Sequence, residues 1–179
     1  MKALKRTMAG EFSRELGVKV LAGLKRLALM GFKQGGLPGY GLRRMLVSAG
    51  CEPRQELANG DRKSIVTDRV ILVPGPVAEV AWVREIYRMF LEDERTVYGI
   101  ARELNKKGVK YYADSKWDYL AVHSVLSHPK YAGCNVFGRT SQQLGTASVR
   151  TPRSEWVMRS GVPCAPVGST LETSSALSR

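Results

Sequence analysis

Residues 117–134, WDYLAVHSVLSHPKYAGC, have the pattern of a short helix with a marked beginning and end. Asp118 can accept a hydrogen bond from the free backbone amides of a first helical turn, which makes it a candidate N-cap. The spacing i, i+3, i+4 then gives one apolar face, formed by Val122, Val125 and Leu126. Pro129 cannot continue a helix. The stretch therefore predicts a helix of about three turns that packs through this apolar face.

The opposite face of the predicted helix is short and uncharged. Its members are Leu120, Ala121, His123, Ser124 and Ser127. A helix that faces only water usually carries charged residues on that side, so this composition favours close approach to another molecule. Tyr119 lies between the two faces and could belong to the core instead.

The net charge of the chain indicates which kind of partner would approach this helix face. The chain has 179 residues and a net charge of +12 at pH 7. Such an excess of Lys and Arg favours a polyanion as the partner, although a basic protein can also be merely soluble. No run approaches the roughly 18 apolar residues of a membrane helix, and the N-terminus lacks the apolar core and cleavage site of a secretory signal. We expect a cytoplasmic protein without a membrane segment.

Cysteine and histidine usage argues against a metal or cofactor. Cys51, Cys134 and Cys164 are scattered without CxxC spacing, so they do not predict a zinc site, and we interpret them as reduced thiols. The chain has only two histidines, with no carboxylate at helical spacing from them. The prediction is therefore no metal and no cofactor.

The rest of the chain divides into a long helix, a β region and further short helices. Residues 3–30 read as one helix because apolar residues recur every fourth position: Leu4, Met8, Phe12, Leu16, Val20 and Leu24. Residues 31–41, GFKQGGLPGYG, are too rich in glycine for regular structure. Residues 40–73 suggest a small β region, with strands in YGLRRMLV and SIVTDRVILV and a turn-rich connection, CEPRQELANGDRK, between them.

Two more helices precede the quoted stretch. Pro76 is placed near the first turn of one, whose expected core stripe is Val80, Val83, Tyr87 and Phe90. Thr96 can cap the other, and Gly108 ends it. The order predicts an α+β fold, mainly α, in which a long N-terminal helix is followed by a small β region and a helix-turn-helix-type DNA-binding unit. An ordinary helical bundle has the same periodicity.

Several strings in this order resemble a large serine recombinase. SRELGVKVLAGLKRLALMGFKQGGLPGYGLRR is similar to the junction between that family's catalytic domain, which ends in a long helix, and its DNA-binding recombinase domain. VILVPGPVAEVAWVREIYRMF and GIARELNKKGV resemble the recombinase domain itself, as do the later positions Trp117, Val122, Val125, Leu126, Pro129, Tyr131 and Gly133. The matching gaps between the pieces make the resemblance specific over about residues 5–157.

The resemblance implies a domain division and a function. Residues 1–30 would be the end of the catalytic domain, 31–41 a linker, 42–140 the DNA-binding domain, and 141–179 a linker with a disordered tail. The family cuts DNA with a serine in a short Tyr-x-Arg-x-Ser type motif, which this sequence lacks, and no paired cysteines supply its zinc ribbon. Ser13 lies inside the long helix without an activating group. No catalytic residue is therefore predicted, and we interpret the chain as a truncated, DNA-binding piece of a site-specific recombinase of a mobile element such as a prophage.

The expected partner is double-stranded DNA at an attachment-type site, with possible self-association through the N-terminal helix. Phosphate contacts are expected from Arg14, Lys19, Lys25, Arg26, Lys33, Arg43, Arg44 and Arg139. Base contacts are expected from Leu120, Ala121, His123, Ser124 and Ser127. Trp117 and Tyr131 are expected to pack rather than to stack on bases. The alternative function is an autonomous helix-turn-helix transcriptional regulator.

Overall fold

A computed structural model describes residues 2–63, 65–141 and 148–161. It begins with helix α1, Lys2–Leu29, which confirms the predicted long helix. Residues 8–23 of this helix are exposed, and its C-terminal end packs against the rest of the molecule. There Ala28 is buried, and Leu27 contacts a small core of Phe32, Val47 and Ile71.

The predicted β region forms a three-stranded antiparallel sheet. Its strands are β1, Leu42–Val47, β2, Pro53–Leu57, and β3, Arg69–Pro74, in the spatial order β2-β1-β3. The turn expected at residues 59–61 is present, since the Asp61 amide donates to the Ala58 carbonyl at 3.2 Å. The sheet carries the Phe32, Val47 and Ile71 core on which α1 ends.

Two details of this sheet differ from the sequence prediction. Strand β2 lies inside the stretch interpreted as turn-rich, and β3 starts only at Arg69 because residues 65–67 form a bend and turn. Strand β2 is an edge strand in which only Leu57 is buried, so its sequence shows no alternation. Its pairing with β1 holds it in place, and that pairing is not visible in a local pattern.

Three helices enclose the main core. They are α2, Val77–Leu91, α3, Val97–Lys106, and α4, Tyr119–Ser127. The centre of this core consists of Ile86, Met89, Ile100, Leu104, Trp117, Val122 and Val125. On α2 the fully buried residues are Ile86 and Met89, whereas Phe90 is 41% exposed. The predicted stripe of α2 is therefore wrong at Phe90, because the helix is rotated so that its neighbour Met89 faces the core.

The remaining elements are short. Strand β4, Cys134–Phe137, pairs antiparallel with β7, Val157–Ser160, and β5, Thr140–Ser141, pairs with β6, Val149–Arg150. Single 3-10 turns lie at Tyr112–Asp114, Pro129–Ala132 and Arg153–Glu155. Strand β7 falls in the range that the sequence assigned to a linker and tail, and it packs against α1 as well as β4. The proposed disordered end, residues 162–179, lies outside the described residues.

The architecture confirms the predicted α+β class with mainly helical content. Within the described ranges, no helix is long and apolar enough to cross a membrane. Cys134 is a free thiol, whereas Cys51 is disulfide-bonded, so the expectation of reduced cysteines is wrong for Cys51. Cys164 lies outside the described residues.

Candidate nucleic-acid interface

Helix α4 is fixed at its N-terminus by two polar side chains. Asp118 is the N-cap, as predicted, and its carboxylate accepts a hydrogen bond from the Ala121 amide at 2.7 Å. Asn105 on α3 clamps the preceding residue: its Nδ2 donates to the Trp117 carbonyl at 2.8 Å, and its Oδ1 accepts from the Trp117 amide at 2.9 Å. The buried Trp117 indole and this clamp together set where α4 begins.

The inner face of α4 is apolar and well packed. Val122 and Val125 are fully buried, and Leu126 packs at the edge of the same core, which confirms the predicted face. Tyr87 on α2 donates a hydrogen bond to the Val125 carbonyl at 2.9 Å. Ala121 is also buried, at 6% exposed, so the prediction that it lies on the outer face is wrong. It sits one helical turn before Val125 and therefore shares its direction.

The outer face of α4 is exposed and carries no charge. It consists of Tyr119, Leu120, His123, Ser124 and Ser127. Leu120 is 70% exposed, which is unusual for a side chain of that size. The Ser127 hydroxyl donates to the His123 carbonyl at 2.7 Å, so its proton is used within the helix. His123 and Ser124 remain accessible for hydrogen bonding with another molecule.

An aromatic column continues this face onto α3. The rings of Tyr98 and Tyr119 lie 4.9 Å apart, and those of Tyr119 and His123 lie 5.6 Å apart and nearly parallel. Tyr98 is 67% exposed and was not identified from the sequence. Its position outside the apolar stripe of α3, beside Val97 and Ile100, is the signal that places it on the surface. The column extends the uncharged surface across two helices.

The C-terminal end of α4 is held by the turn that follows it. His128 Nδ1 accepts a hydrogen bond from the Lys130 amide at 3.3 Å. Burial, together with the charges of Lys130, Arg139 and Lys33, lowers the pKa of His128 to about 4, so the ring is neutral at pH 7 and can act as this acceptor. Tyr131 packs as predicted, and its hydroxyl donates to the Tyr40 carbonyl at 2.9 Å. The turn is thereby tied to the end of the glycine-rich segment.

The predicted phosphate-binding residues of α1 are all exposed, but two have acidic neighbours. Arg14 pairs with Glu11, and Lys19 Nζ lies 4.0 Å from a carboxylate oxygen of Glu15. Lys25 and Arg26 lie nearer the end of α1, and neither belongs to an ion pair within the described residues. The two cations nearest the folded part of the molecule are therefore the ones without a competing carboxylate.

The two predicted arginines of β1 are engaged inside the protein. Arg43 makes a two-pronged contact with Glu79 on α2, at 2.6 and 2.9 Å, and this hydrogen bonding is the main cause of the lowered pKa of Glu79. Arg44 donates to the Ala58 carbonyl. Arg43 thus joins the sheet to the helical core, and both side chains would have to give up protein partners to meet a phosphate.

Lys33 and Arg139 are the last two predicted contacts. Burial and then the positive charge of Arg139 lower the pKa of Lys33. Lys33 is half-buried beside a cavity of about 170 Å³ that Lys130 also lines. The Arg139 guanidinium stacks over the Trp156 ring, with 5.2 Å between its central carbon and the ring centroid. Lys130 was not singled out from the sequence, since a lysine after a proline in a turn carries no distinctive pattern.

The described part of the chain contains no cluster of residues suited to a metal ion. No group of three or more His, Cys, Asp or Glu residues there could hold a metal ion. Ser13 lies on the exposed part of α1, on the helix turn that also carries Glu11 and Arg14. The surface features that the structure does show are the uncharged face of α4, the aromatic column that extends it, and cations without acidic partners.

Comparison with known proteins assigns the chain to a family. The family model described as Recombinase matches residues 78–167, about half of the chain. The match covers the three core helices, α2 to α4, and the short strands β4 to β7 that follow them. None of the curated proteins and none of the solved structures compared with the chain gives a significant match. The three-helix core with its exposed α4 face is therefore part of a recombinase domain, and the chain belongs to the recombinase family.

Proposed function

We propose that the chain binds double-stranded DNA as the DNA-binding part of a site-specific serine recombinase, with the outer face of α4 in the major groove. The observation that carries the proposal is the exposed, uncharged face of α4 on a protein with a net charge of +12. The major groove admits an α-helix, and short polar or apolar side chains can reach base edges there without meeting phosphates.

Roles on this face follow from side-chain chemistry. His123 and Ser124 would hydrogen-bond base edges, and Leu120 would contact thymine methyl groups. Ser127 would act as an acceptor, because its proton is already donated within the helix. Ala121 is excluded by its burial. The connection between α3 and α4 is longer than the about three to four residues of a standard helix-turn-helix, so the proposed unit is a variant of that motif.

Phosphate contacts on either side of the groove would come from cations that lack acidic partners. On α1 these are Lys25 and Arg26, and beside the C-terminal end of α4 they are Lys33 and Arg139. The exposed residues 35–37 of the glycine-rich segment would approach the minor groove, where an extended chain fits better than a helix. Such contacts supply sequence-independent affinity that falls steeply as salt rises.

The test begins with selection of binding sites from a pool of random duplex DNA. Affinities for the selected site and for random DNA are then compared by fluorescence anisotropy. His123→Ala and Ser124→Ala should each weaken the selected site by about 1–3 kcal/mol and leave random DNA nearly unchanged. Ser154→Ala, at an exposed serine in the 3-10 turn before β7, is the control and should change neither. Equal losses on both DNAs would remove α4 from base reading.

The form of the selected site separates the proposal from the regulator alternative. A long attachment-type site supports the recombinase assignment, whereas a short palindromic operator would favour a transcriptional regulator. We also propose that this chain does not itself cut DNA. In a plasmid relaxation assay, neither the wild-type chain nor Ser13→Ala should nick supercoiled DNA, and a covalent protein–DNA adduct that depends on Ser13 would contradict this.

Self-association through α1 is part of the same proposal. Its apolar stripe is exposed along the helix, with Phe12 68% and Leu16 50% accessible. A second copy of α1 would cover that stripe. Phe12→Glu should shift the protein toward monomer in sedimentation velocity, whereas Val18→Glu adds the same charge on the opposite side of the helix and should not. A wild-type chain that is monomeric at all concentrations would rule this interface out.

A further inference from the structure

Lys33 and Lys130 both line one small cavity at the junction of three segments. The cavity has a volume of about 170 Å³ and includes Gly31, Gly133 and Gly161 in its wall. Lys33 is fixed in place by its backbone, since its amide donates to the Val70 carbonyl on β3 at 2.7 Å. Lys130 belongs to the 3-10 turn directly after α4. The cavity therefore lies beside the C-terminal end of the helix that we place in the major groove.

The Lys130 side chain lies against Gly39, in space that a side chain at position 39 would occupy. A Cβ atom on Gly39 would collide with the Lys130 ammonium end and with the Tyr131 hydroxyl, and Gly39 has a φ of +104° that side-chain-bearing residues rarely adopt. The Lys130 ammonium also lies 5.4 Å from the centroid of the Tyr131 ring. Glycine at position 39 and the Tyr131 ring thus hold a lysine that is half-buried rather than free in solvent.

The site concentrates positive charge without a counterion. No acidic side chain is among the described residues that line the cavity, and none of the ion pairs in the described structure includes Lys33, Lys130 or Arg139. Burial, and then the Arg139 charge, lowers the pKa of Lys33. Burial, and then the charges of Lys33 and Arg139, lowers the pKa of Lys130 to about 8. Unpaired, half-buried cations oppose folding, which is typical of a site shaped for an anion.

We propose that Lys33 and Lys130, which line the same cavity, form a seat for one phosphate group of the DNA backbone. The inference rests on the proposed function and adds to it a contact that fixes the register of α4. A phosphate bound directly after the last turn of α4 would position that helix along the groove, in the way that backbone contacts orient base-reading elements. Lys130 is the new member and Lys33 comes from the linker, while Arg139, which follows strand β4 and Gly138, adds positive charge that acts on both lysines.

DNA binding at this seat should depend on pH in a defined direction. Lys130 must be protonated to hold a phosphate, and its pKa of about 8 in the free protein means that protonation is lost as the pH rises from about 7 to 9. Bound phosphate raises that pKa, so affinity falls over this window. Of the other titratable groups nearby, His128 is already neutral, and burial raises the pKa of Tyr131. Cys134 also lines the cavity, and Cys134→Ser, which keeps a side chain of similar size there, is measured as a control.

The experiment measures binding of the full chain to random-sequence duplex DNA at pH 7 and pH 9, at constant ionic strength. Lys130→Met keeps a side chain of similar length and removes the charge. It should weaken binding about tenfold at pH 7, the scale of one charge-assisted hydrogen bond, and reduce the salt slope by about one unit. Wild type at pH 9 should approach the variant, and the variant should show a weaker pH dependence, the part that Lys33 contributes. Lys106→Met, an exposed lysine at the end of α3, is the matched control.

A stability measurement distinguishes a binding residue from a packing residue. Without DNA, Lys130→Met should raise the melting temperature, because it removes one of three mutually repelling cations, whereas Lys106→Met should not. A lower melting temperature with unchanged DNA affinity would make Lys130 structural and overturn the seat. The seat is also overturned if wild type binds DNA and Lys130→Met binds it equally well, and the proposed function then stands without it.

Inorganic phosphate separates the two possible sources of the anion. At constant ionic strength, phosphate at about 10–50 mM should raise the melting temperature of wild type more than that of Lys130→Met. Concentrations of this order are needed because a site for a single anion binds weakly. If this difference appears but DNA affinity does not depend on Lys130, the site takes a free anion and the DNA-phosphate assignment is wrong. If wild type does not bind DNA at all, the proposed function fails first.

Discussion

Replacing Asn105 by alanine tests how the α3–α4 unit holds its shape. The Asn105 side chain makes both hydrogen bonds of the Trp117 backbone, at 2.8 and 2.9 Å, and Trp117 is only 3% exposed. In Asn105→Ala, the Trp117 amide and carbonyl lose these partners in a place that water reaches poorly. A buried polar group without a partner costs about 1–3 kcal/mol. With two such groups and partial relaxation, we expect a loss of about 2–4 kcal/mol in the free energy of unfolding.

The assay is urea unfolding followed by tryptophan fluorescence and circular dichroism. The midpoint should shift to lower urea, while the slope of the transition stays unchanged because the same surface is exposed on unfolding. Asn105→Asp should fall between alanine and wild type. Its oxygen still accepts from the Trp117 amide, but a carboxylate cannot donate to the carbonyl.

Ser124→Ala is the control for this series, because Ser124 lies on the exposed face of α4 and should change stability by less than about 0.5 kcal/mol. A loss of under about 0.5 kcal/mol in Asn105→Ala would refute the reasoning. It would mean that the Trp117 backbone groups find other partners and that the clamp does not fix the start of α4.

Three further perturbations have expected outcomes. His128 has a pKa of about 4 in the fold against an ordinary 6.5, so stability should fall as the pH drops from about 6.5 to 4, and His128→Asn, measured by urea midpoint at each pH, should flatten that fall. Glu79 has a lowered pKa through its hydrogen bonds from Arg43, so Glu79→Gln should be less stable than wild type at pH 7, and the difference should shrink as the pH falls below about 4. Gly39→Ala should lower the melting temperature and also weaken DNA binding, because its methyl group would displace the Lys130 side chain. If a folded Gly39→Ala variant bound DNA with unchanged affinity, the position of Lys130 beside Gly39 would not matter for binding.

Local signals in the sequence were sufficient for much of the helical structure. The N-caps Asp118 and Thr96 are confirmed by hydrogen bonds to the Ala121 and Gly99 amides, since a cap needs only its own first turn. Val122 and Val125 are in the core because helical spacing alone directs them to one face. Ala121 was placed wrongly because a small side chain suits either face of a helix, whereas its spacing of four residues from Val125 directs it inward.

Features that depend on pairing between distant segments were not predictable. Strands β2 and β7 have no strong strand pattern, and each is defined by its partner, β1 or β4. The position of Lys33 and Lys130 at one cavity arises from the same kind of long-range packing. A sequence pattern can identify a cationic residue, but it cannot show whether the fold pairs that residue with a carboxylate. Arg43, which forms an ion pair with Glu79, is an example of a cation that is paired in the fold.

The difference between cations that have an acidic partner in the fold and cations that lack one offers a physical criterion for ranking the expected DNA contacts. A paired arginine such as Arg43 must lose a 2.6 Å contact with Glu79 before it can bind a phosphate, and the abandoned carboxylate would then repel the DNA. A half-buried cation without an acidic partner has already lost hydration, which lowers the stability of the fold. A phosphate can then bind it without breaking an ion pair or hydrogen bond within the protein. The criterion favours Lys33, Lys130 and Arg139, with exposed Lys25 and Arg26 next, over Arg14, Arg43 and Arg44. In the proposed binding mode, a backbone contact beside the end of α4 would determine which bases the uncharged face of the helix can reach, so we expect the cations there to have the largest effect on specificity.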